Sequence, residues 1–165
     1  MRRSIGRQEE PIWRFLELKA GDVMHDRIWE LPILDAGSNL DSILSVMRAR
    51  SYIWVVDDME HLHLLGIIEL VELLRYFLPP EDLGFTYGSL NVAMKSFHRR
   101  MKPTAGDIMD EPVTCDAETP LRDVINQMVK LKVWRIAVTD DDGRLIGEVT
   151  QKGLVRQFYH FYRYG

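Results

Sequence analysis

Five residues near the start of the chain, AGDVM at 20–24, return as AGDIM at 105–109. The recurrence then continues at a slightly shorter spacing. Asp35-Ala36 matches Asp116-Ala117, Leu40 matches Leu121, Met47 matches Met128, Leu64 and Gly66 match Leu145 and Gly147, and Leu73 matches Leu154. The offset falls from 85 to 81, a four-residue insertion after Met24 in the first copy. Two collinear copies restrict the fold to one unit built twice.

Each copy reads as strand, helix, hairpin, helix. In the second, Thr119 is expected to cap and Pro120 to open a helix on which Leu121, Val124, Ile125 and Met128 share one face. In the first, Ser38 is expected to cap, with Leu40, Ile43, Leu44 and Met47 in the same phase. A closing helix follows each hairpin: one over about residues 70–78, stopped by Pro79-Pro80, and one from near Gln151 into the aromatic tail FYHFYRYG. A single copy could not bury enough apolar surface to offset its chain entropy. The expected solution is an α/β (α+β) fold of two β-α-β-β-α repeats packed about a pseudo-two-fold axis, with two related clefts between them.

Charge and composition narrow the function. A net charge of −4 disfavours a general nucleic-acid binder. The basic cluster His98, Arg99, Arg100 and Lys102 reads as a solvated helix face before a phosphate grip. Apolar runs are too short for a membrane span, and the start carries no apolar segment of a secretory signal. The sole cysteine, Cys115, allows no intrachain disulfide, in keeping with a reducing, cytoplasmic setting. Its neighbour Asp116 opposes thiolate formation, so Cys115 reads as structural.

The stretch VTDDDGRLIGEVT, residues 138–150, has the acidity of a calcium loop without its spacing. Counted from Asp140, the fifth place is Arg144 and the twelfth is Gln151, neither of them a ligand of that loop. Trp134, Ile136 and Val138 alternate with Arg135 and Thr139 before the turn, and Leu145, Ile146 and Val149 follow it. The pattern predicts a half-buried strand and a hairpin turning at Gly143 with positive φ.

Taken in order, the AGDVM and AGDIM pair, the Asp-Ala-x-Ser/Thr-x-Leu helix openings, the hairpins ending Leu-x-Gly and the helices after them resemble a tandem CBS-domain pair, or Bateman module, of the cystathionine β-synthase type. The resemblance covers roughly residues 20–78 and 104–160. It divides the chain into an N-terminal extension with a short helix (1–19), a first repeat (20–78), a linker with a helix (79–103) and a second repeat with the aromatic helix (104–165). It implies a regulatory module and not an enzyme, often binding AMP, ADP, ATP or S-adenosylmethionine in a cleft and associating as a homodimer. The family's ligand motif is a glycine, Ser/Thr three places on, and an aspartate three further. There the carboxylate meets ribose hydroxyls, while the hydroxyl and the helix N-terminus meet phosphate.

This chain departs from that motif in both copies. The second keeps Thr150 but has Gly153 in the aspartate's place, with Lys152 beside it. The first has Glu69 for the hydroxyl and Glu72 for the aspartate. A charge at Glu69 about 4 Å from a phosphate would repel it by about 4 kcal/mol before screening, at an effective dielectric near 20. Each candidate also has a plainer role. Thr150 can face a phosphate or cap the last helix; Glu72 can hold a ribose or simply favour a first helical turn. Arg135 can reach a phosphate or lie on a solvated strand face. Val113 and Thr114, like residues near Ile33-Leu34, can offer backbone groups to a purine or only pair strands.

Three features remain. His61-x-His63 sets two imidazoles on one side of an extended segment, without a third metal ligand at short range. The tail rings Phe158, Tyr159, Phe161, Tyr162 and Tyr164 favour a contact with another chain. Helices are expected over 90–101, in a long inter-repeat segment, and over 13–18. No nucleophile elbow or phosphate loop is present. Two functions follow: a sensor of an adenosyl ligand, or a dimeric interaction scaffold that has lost nucleotide binding. The regulated partner is not named by the sequence.

Overall fold

The fold is taken from a computed structural model, which describes residues 11–78 and 102–164. The helix expected over 90–101 and the basic cluster's His98, Arg99 and Arg100 lie outside the described residues. Two three-stranded sheets form, each with the same order and connectivity. In the first, β1 (Ile33–Asp35) runs parallel to β2 (Tyr52–Val56), which pairs antiparallel with β3 (Leu64–Glu69). In the second, β4 (Thr114–Cys115) runs parallel to β5 (Arg135–Thr139), and β5 pairs antiparallel with β6 (Leu145–Thr150). Helix α3 (Leu40–Met47) makes the first crossover and α6 (Leu121–Leu131) the second, while α4 (Leu70–Phe77) and α7 (Gln151–Tyr164) close the copies. Among the described residues no helix is long and apolar enough to cross a membrane.

The chain divides into two compact units that do not coincide with the two sequence copies. Among the described residues, one joins 11–28 to 113–164; the other takes in 29–78 and 102–112. The reason lies in the repeated pentapeptides, which form the short helices α2 (Ala20–Val23) and α5 (Ala105–Ile108). Each packs on the sheet of the other copy. Ala20 and Gly21 donate their N–H groups to Thr119 and Ala117, both at 2.9 Å. Ala105 and Gly106 donate to Ser38 and Ala36 at 2.8 and 2.9 Å.

Four letters of the motif have a visible role in that contact. The alanine is fully buried. At Gly21 and Gly106 a Cβ would stand 3.1 and 3.2 Å from the facing carbonyl oxygen, so a bare backbone lets the segments approach. The aspartates, Asp22 and Asp107, accept the N–H of Lys19 and Thr104 at 2.8 Å, satisfying a donor left over at the helix start. The methionines, Met24 and Met109, lie over Gly147 and Gly66, and the chain then bridges to β6 and β3 through His25–Glu148 and Asp110–Ile67.

Each unit has its own core. Ile136, Val138, Val149, Leu121, Val124, Met128 and Phe15 fill that of the first, and Ile43, Ile53, Val55, Ile68 and Leu73 that of the second. Helix α1 (Pro11–Leu16) belongs to the former: Phe15 meets Phe158 and Phe161 of α7 at ring-centroid distances of 5.2 and 5.8 Å. The N-terminal helix thus covers Pro11–Leu16 where 13–18 was expected, and two of the five tail rings are turned onto their own unit. Tyr159, Tyr162 and Tyr164 remain exposed.

Several local expectations change. Asn39, not Ser38, caps α3, accepting from the Ser42 N–H at 3.0 Å. Ser38 and Thr119 instead bond Asp35 and Asp116 at the strand ends, at 3.1 Å each. A hydroxyl three residues after a strand-end aspartate is drawn back into a turn, which removes it from the cap. Pro120 consequently stands at the cap position of α6. Trp134 precedes β5 and is 64% exposed, whereas Ile136, Ala137 and Val138 are all fully buried. As the central strand, β5 is covered on both faces, so alternation gives way to a continuous apolar run. The hairpin turn is as expected, with Gly143 at φ 78° and Asp140 accepting the N–H groups of Asp142 and Arg144.

Candidate functional site

Strand order and direction gather most of the candidate residues at one end of the second sheet. Val113 precedes β4, Thr114 opens it, Arg135 opens β5, and Thr150 ends β6, where the chain passes into α7. Arg135 and Thr150 are cross-strand partners, and Thr114 pairs with Ala137. Residues paired across strands, and those two apart along one, share a face. Thr114, Arg135 and Thr150 therefore lie on the face opposite Ile136, Val138 and Val149, turned away from the unit's own core.

Thr150 serves the helix and keeps a free function. Its Oγ1 accepts the Gly153 N–H at 3.0 Å, capping α7. A hydroxyl has two acceptor lone pairs and one proton, so the O–H can still be donated outward. Arg135 supplies a permanent cation beside it, and exposed Lys152 a second in the first turn of α7. A hydroxyl donor, a guanidinium and a helix start form an arrangement suited to an anion. Gly153 is tight against the cap, since a Cβ there would stand 2.9 Å from Thr150 Oγ1. The Val113 carbonyl accepts the Ala137 N–H at 3.0 Å, so strand pairing occupies one of its lone pairs.

The other unit has the same geometry with opposite chemistry. Its cross-strand pair is Tyr52 with Glu69. Glu72 Oε2 accepts the Glu69 N–H at 3.0 Å, and Arg75 stands 3.8 Å from Oε1. The carboxylate at the place of the motif's aspartate is thus turned back onto its own helix start, where a negative charge is favourable.

The equivalence of Tyr52 with Arg135 is hidden in the sequence. The second crossover helix is longer and its hairpin tip shorter, so the offset rises to 83 between those landmarks and returns to 81 at Gly66 and Gly147. The motif does not single out Glu148, a buried carboxylate on the same face as Arg135, paired with Ala137. An acidic residue inside an apolar strand was its only signal. Cys115 is buried, and burial first, then Asp116, pushes its thiol up to about 11, which agrees with a structural role.

The family model for the CBS domain matches residues 20–79 and again 105–160. The chain belongs to the CBS domain family. Both of its CBS repeats are covered, as the duplicated motifs implied. A curated relative, the chloroplastic CBS domain-containing protein CBSX1 of Arabidopsis thaliana, is 28% identical over 85 residues; that match spans 51% of this chain and 36% of the relative. Among solved structures, the CBS-pair protein CBSX2 of Arabidopsis thaliana superposes with a TM-score of 0.67 at 24% identity, covering 90% of this chain and 99% of that one. CBSX2 in complex with AMP gives a TM-score of 0.68 at 23% identity, over 87% and 97%. The CBS domain of the bacterial CNNM/CorC family Mg2+ transporter in complex with ATP gives 0.64 at 18%, over 90% and 92%. The two sheets and their crossovers are those of a CBS pair.

Proposed function

We propose that this CBS pair is a regulatory module, not a catalyst, that responds to an adenosine-containing ligand held by the unit containing Arg135 and Thr150. The carrying observation is the cross-strand pair itself, a guanidinium beside a hydroxyl whose proton remains available at the start of α7. The equivalent Tyr52–Glu69 pair would repel a phosphate. CBSX2 with AMP and the CNNM/CorC CBS domain with ATP lend support from chains of the same fold. Val113 and Thr114 stand where backbone groups can meet the purine. Gly153 leaves the ribose without the family's carboxylate, so affinity rests on the phosphate side. A ligand regulates only by binding one arrangement of the protein more tightly than another.

The test is thermal stability against AMP, ADP, ATP and S-adenosylmethionine. A ligand at 100 times its dissociation constant stabilises the folded state by about 2.7 kcal/mol. At least one phosphate-bearing ligand is expected to raise the melting temperature, and Thr150→Val and Arg135→Met to abolish the rise. Gly153→Asp, which restores the acceptor, is expected to tighten binding about tenfold provided Thr150 yields the space its Cβ needs. No response to any of the four would favour the scaffold reading.

We further propose a homodimer formed through the closing helices. Leu70, Leu74 and Phe77 stand on one side of α4, as Val155, Tyr159 and Tyr162 do on α7, and all six are exposed. Each stripe is an exposed apolar face suited to pairing with the same stripe of a second copy. Sedimentation is expected to show a dimer, and Leu74→Lys with Tyr159→Lys a monomer.

A further inference from the structure

Six consecutive residues, Val129-Lys130-Leu131-Lys132-Val133-Trp134, carry the chain from the end of α6 to the start of β5. The inward positions of α6, Leu121, Val124 and Met128, are buried, but these later apolar residues are not. Val129 is 72% exposed, Leu131 56% and Trp134 64%. Lys130 and Lys132, between them, are exposed as well. Neither the ligand arrangement at Arg135 and Thr150 nor the stripes on the closing helices involve these five side chains.

The turn is firmly held. The Lys132 and Val133 N–H groups both donate to the Met128 carbonyl, closing the last turn of α6. Gln151, at the start of α7, donates its Nε2 to the Val133 carbonyl and its backbone N–H to that of Trp134, each at 3.0 Å. Lys132 has left-handed backbone, φ 55° and ψ 37°, the conformation in which glycine commonly ends a helix. A lysine there costs stability that glycine would keep, so folding does not account for the charge at 132.

The neighbouring sequence is free of acid. Residues 124–139 and 149–164 contain no Asp or Glu, in a chain with 25 acidic and 21 basic residues. The exposed apolar turn is therefore complementary to an anionic surface. Lysines alternating with apolar residues leave no charge-depleted centre of the kind a protein interface has. A phospholipid headgroup layer accepts both: apolar side chains and an indole enter its inner edge, while lysine stems carry their ammonium groups back to phosphate. We infer that the turn between α6 and β5 is a docking surface for an anionic phospholipid bilayer. Val129, Leu131 and Trp134 enter the interface, and Lys130 and Lys132 meet the lipid phosphates.

Co-sedimentation of the full chain with vesicles tests the surface, using phosphatidylcholine alone and phosphatidylcholine with about 30% phosphatidylserine. Binding to the mixed vesicles, little binding to the neutral ones and release in about 0.5 M salt are expected. Lys130→Gln/Lys132→Gln should weaken partition about 30-fold, and Trp134→Ala about tenfold. Lys132→Gly should keep or raise the denaturation midpoint yet weaken partition about fivefold, which separates lipid contact from folding. No binding to the mixed vesicles, or equal binding by these variants, would overturn the assignment. So would saturable binding of a polyglutamate peptide or of single-stranded DNA in the vesicles' place.

Discussion

Phe15→Ala is expected to destabilise the protein by about 3–5 kcal/mol, the range for removing a buried aromatic ring. Phe15 is 3% exposed and wedged against Phe158 and Phe161. Arg14 lies over the Phe161 ring at 5.3 Å and Arg122 over Trp13 at 5.4 Å, which adds cation–π attraction around the same helix. The substitution therefore separates the first turns of the chain from the last. Chemical denaturation checks it, with Trp134→Ala as the comparison. Trp134 is large but 64% exposed, and its loss should shift stability by less than about 0.5 kcal/mol. Equal effects from the two would mean that α1 does not belong to this core.

The hairpin glycines should be nearly as sensitive, for the opposite reason. A Cβ at Gly66 would stand 2.5 Å from Met109 Sδ and 2.8 Å from its Cβ and Cγ; one at Gly147 would stand 2.8 Å from the His25 carbonyl oxygen and 2.9 Å from Met24 Sδ. Overpacking of this kind costs about 1–3 kcal/mol, and Gly66→Ala and Gly147→Ala should both fall there. Their second-site behaviour should differ. Met109→Ala removes the sulfur and Cγ and should relieve Gly66→Ala in part, a coupling of about 1 kcal/mol. Met24→Ala should relieve Gly147→Ala much less, because a backbone carbonyl cannot be trimmed. Denaturation midpoints of the two double-mutant cycles give the comparison.

Those glycines mark the boundary of what a single sequence discloses. The duplication, the strand–helix–hairpin–helix order and the closing helices all follow from local signals: Leu40/Ile43/Met47, Leu121/Val124/Met128 and the Asp140–Gly143 turn. Which sheet each pentapeptide joins does not, because AGDVM and AGDIM are interchangeable as sequence. Only the chain path assigns each to the other copy's hairpin. Caps slipped by one residue because Ser38 and Thr119 have a nearer partner in Asp35 and Asp116. At the site, Thr150, Glu69 and Glu72 were legible through the family motif. The Tyr52–Arg135 correspondence was concealed by compensating length changes in a helix and a hairpin.

The account rests on an unequal pair: one strand–helix junction with a cation and a free hydroxyl proton, the other with two carboxylates. Counting bound nucleotide by titrating AMP into the purified chain tests that inequality most directly. One molecule per chain, lost in Arg135→Met and kept in Tyr52→Phe, is the expected result. Two equivalent molecules per chain, or one that survives Arg135→Met unchanged, would contradict it.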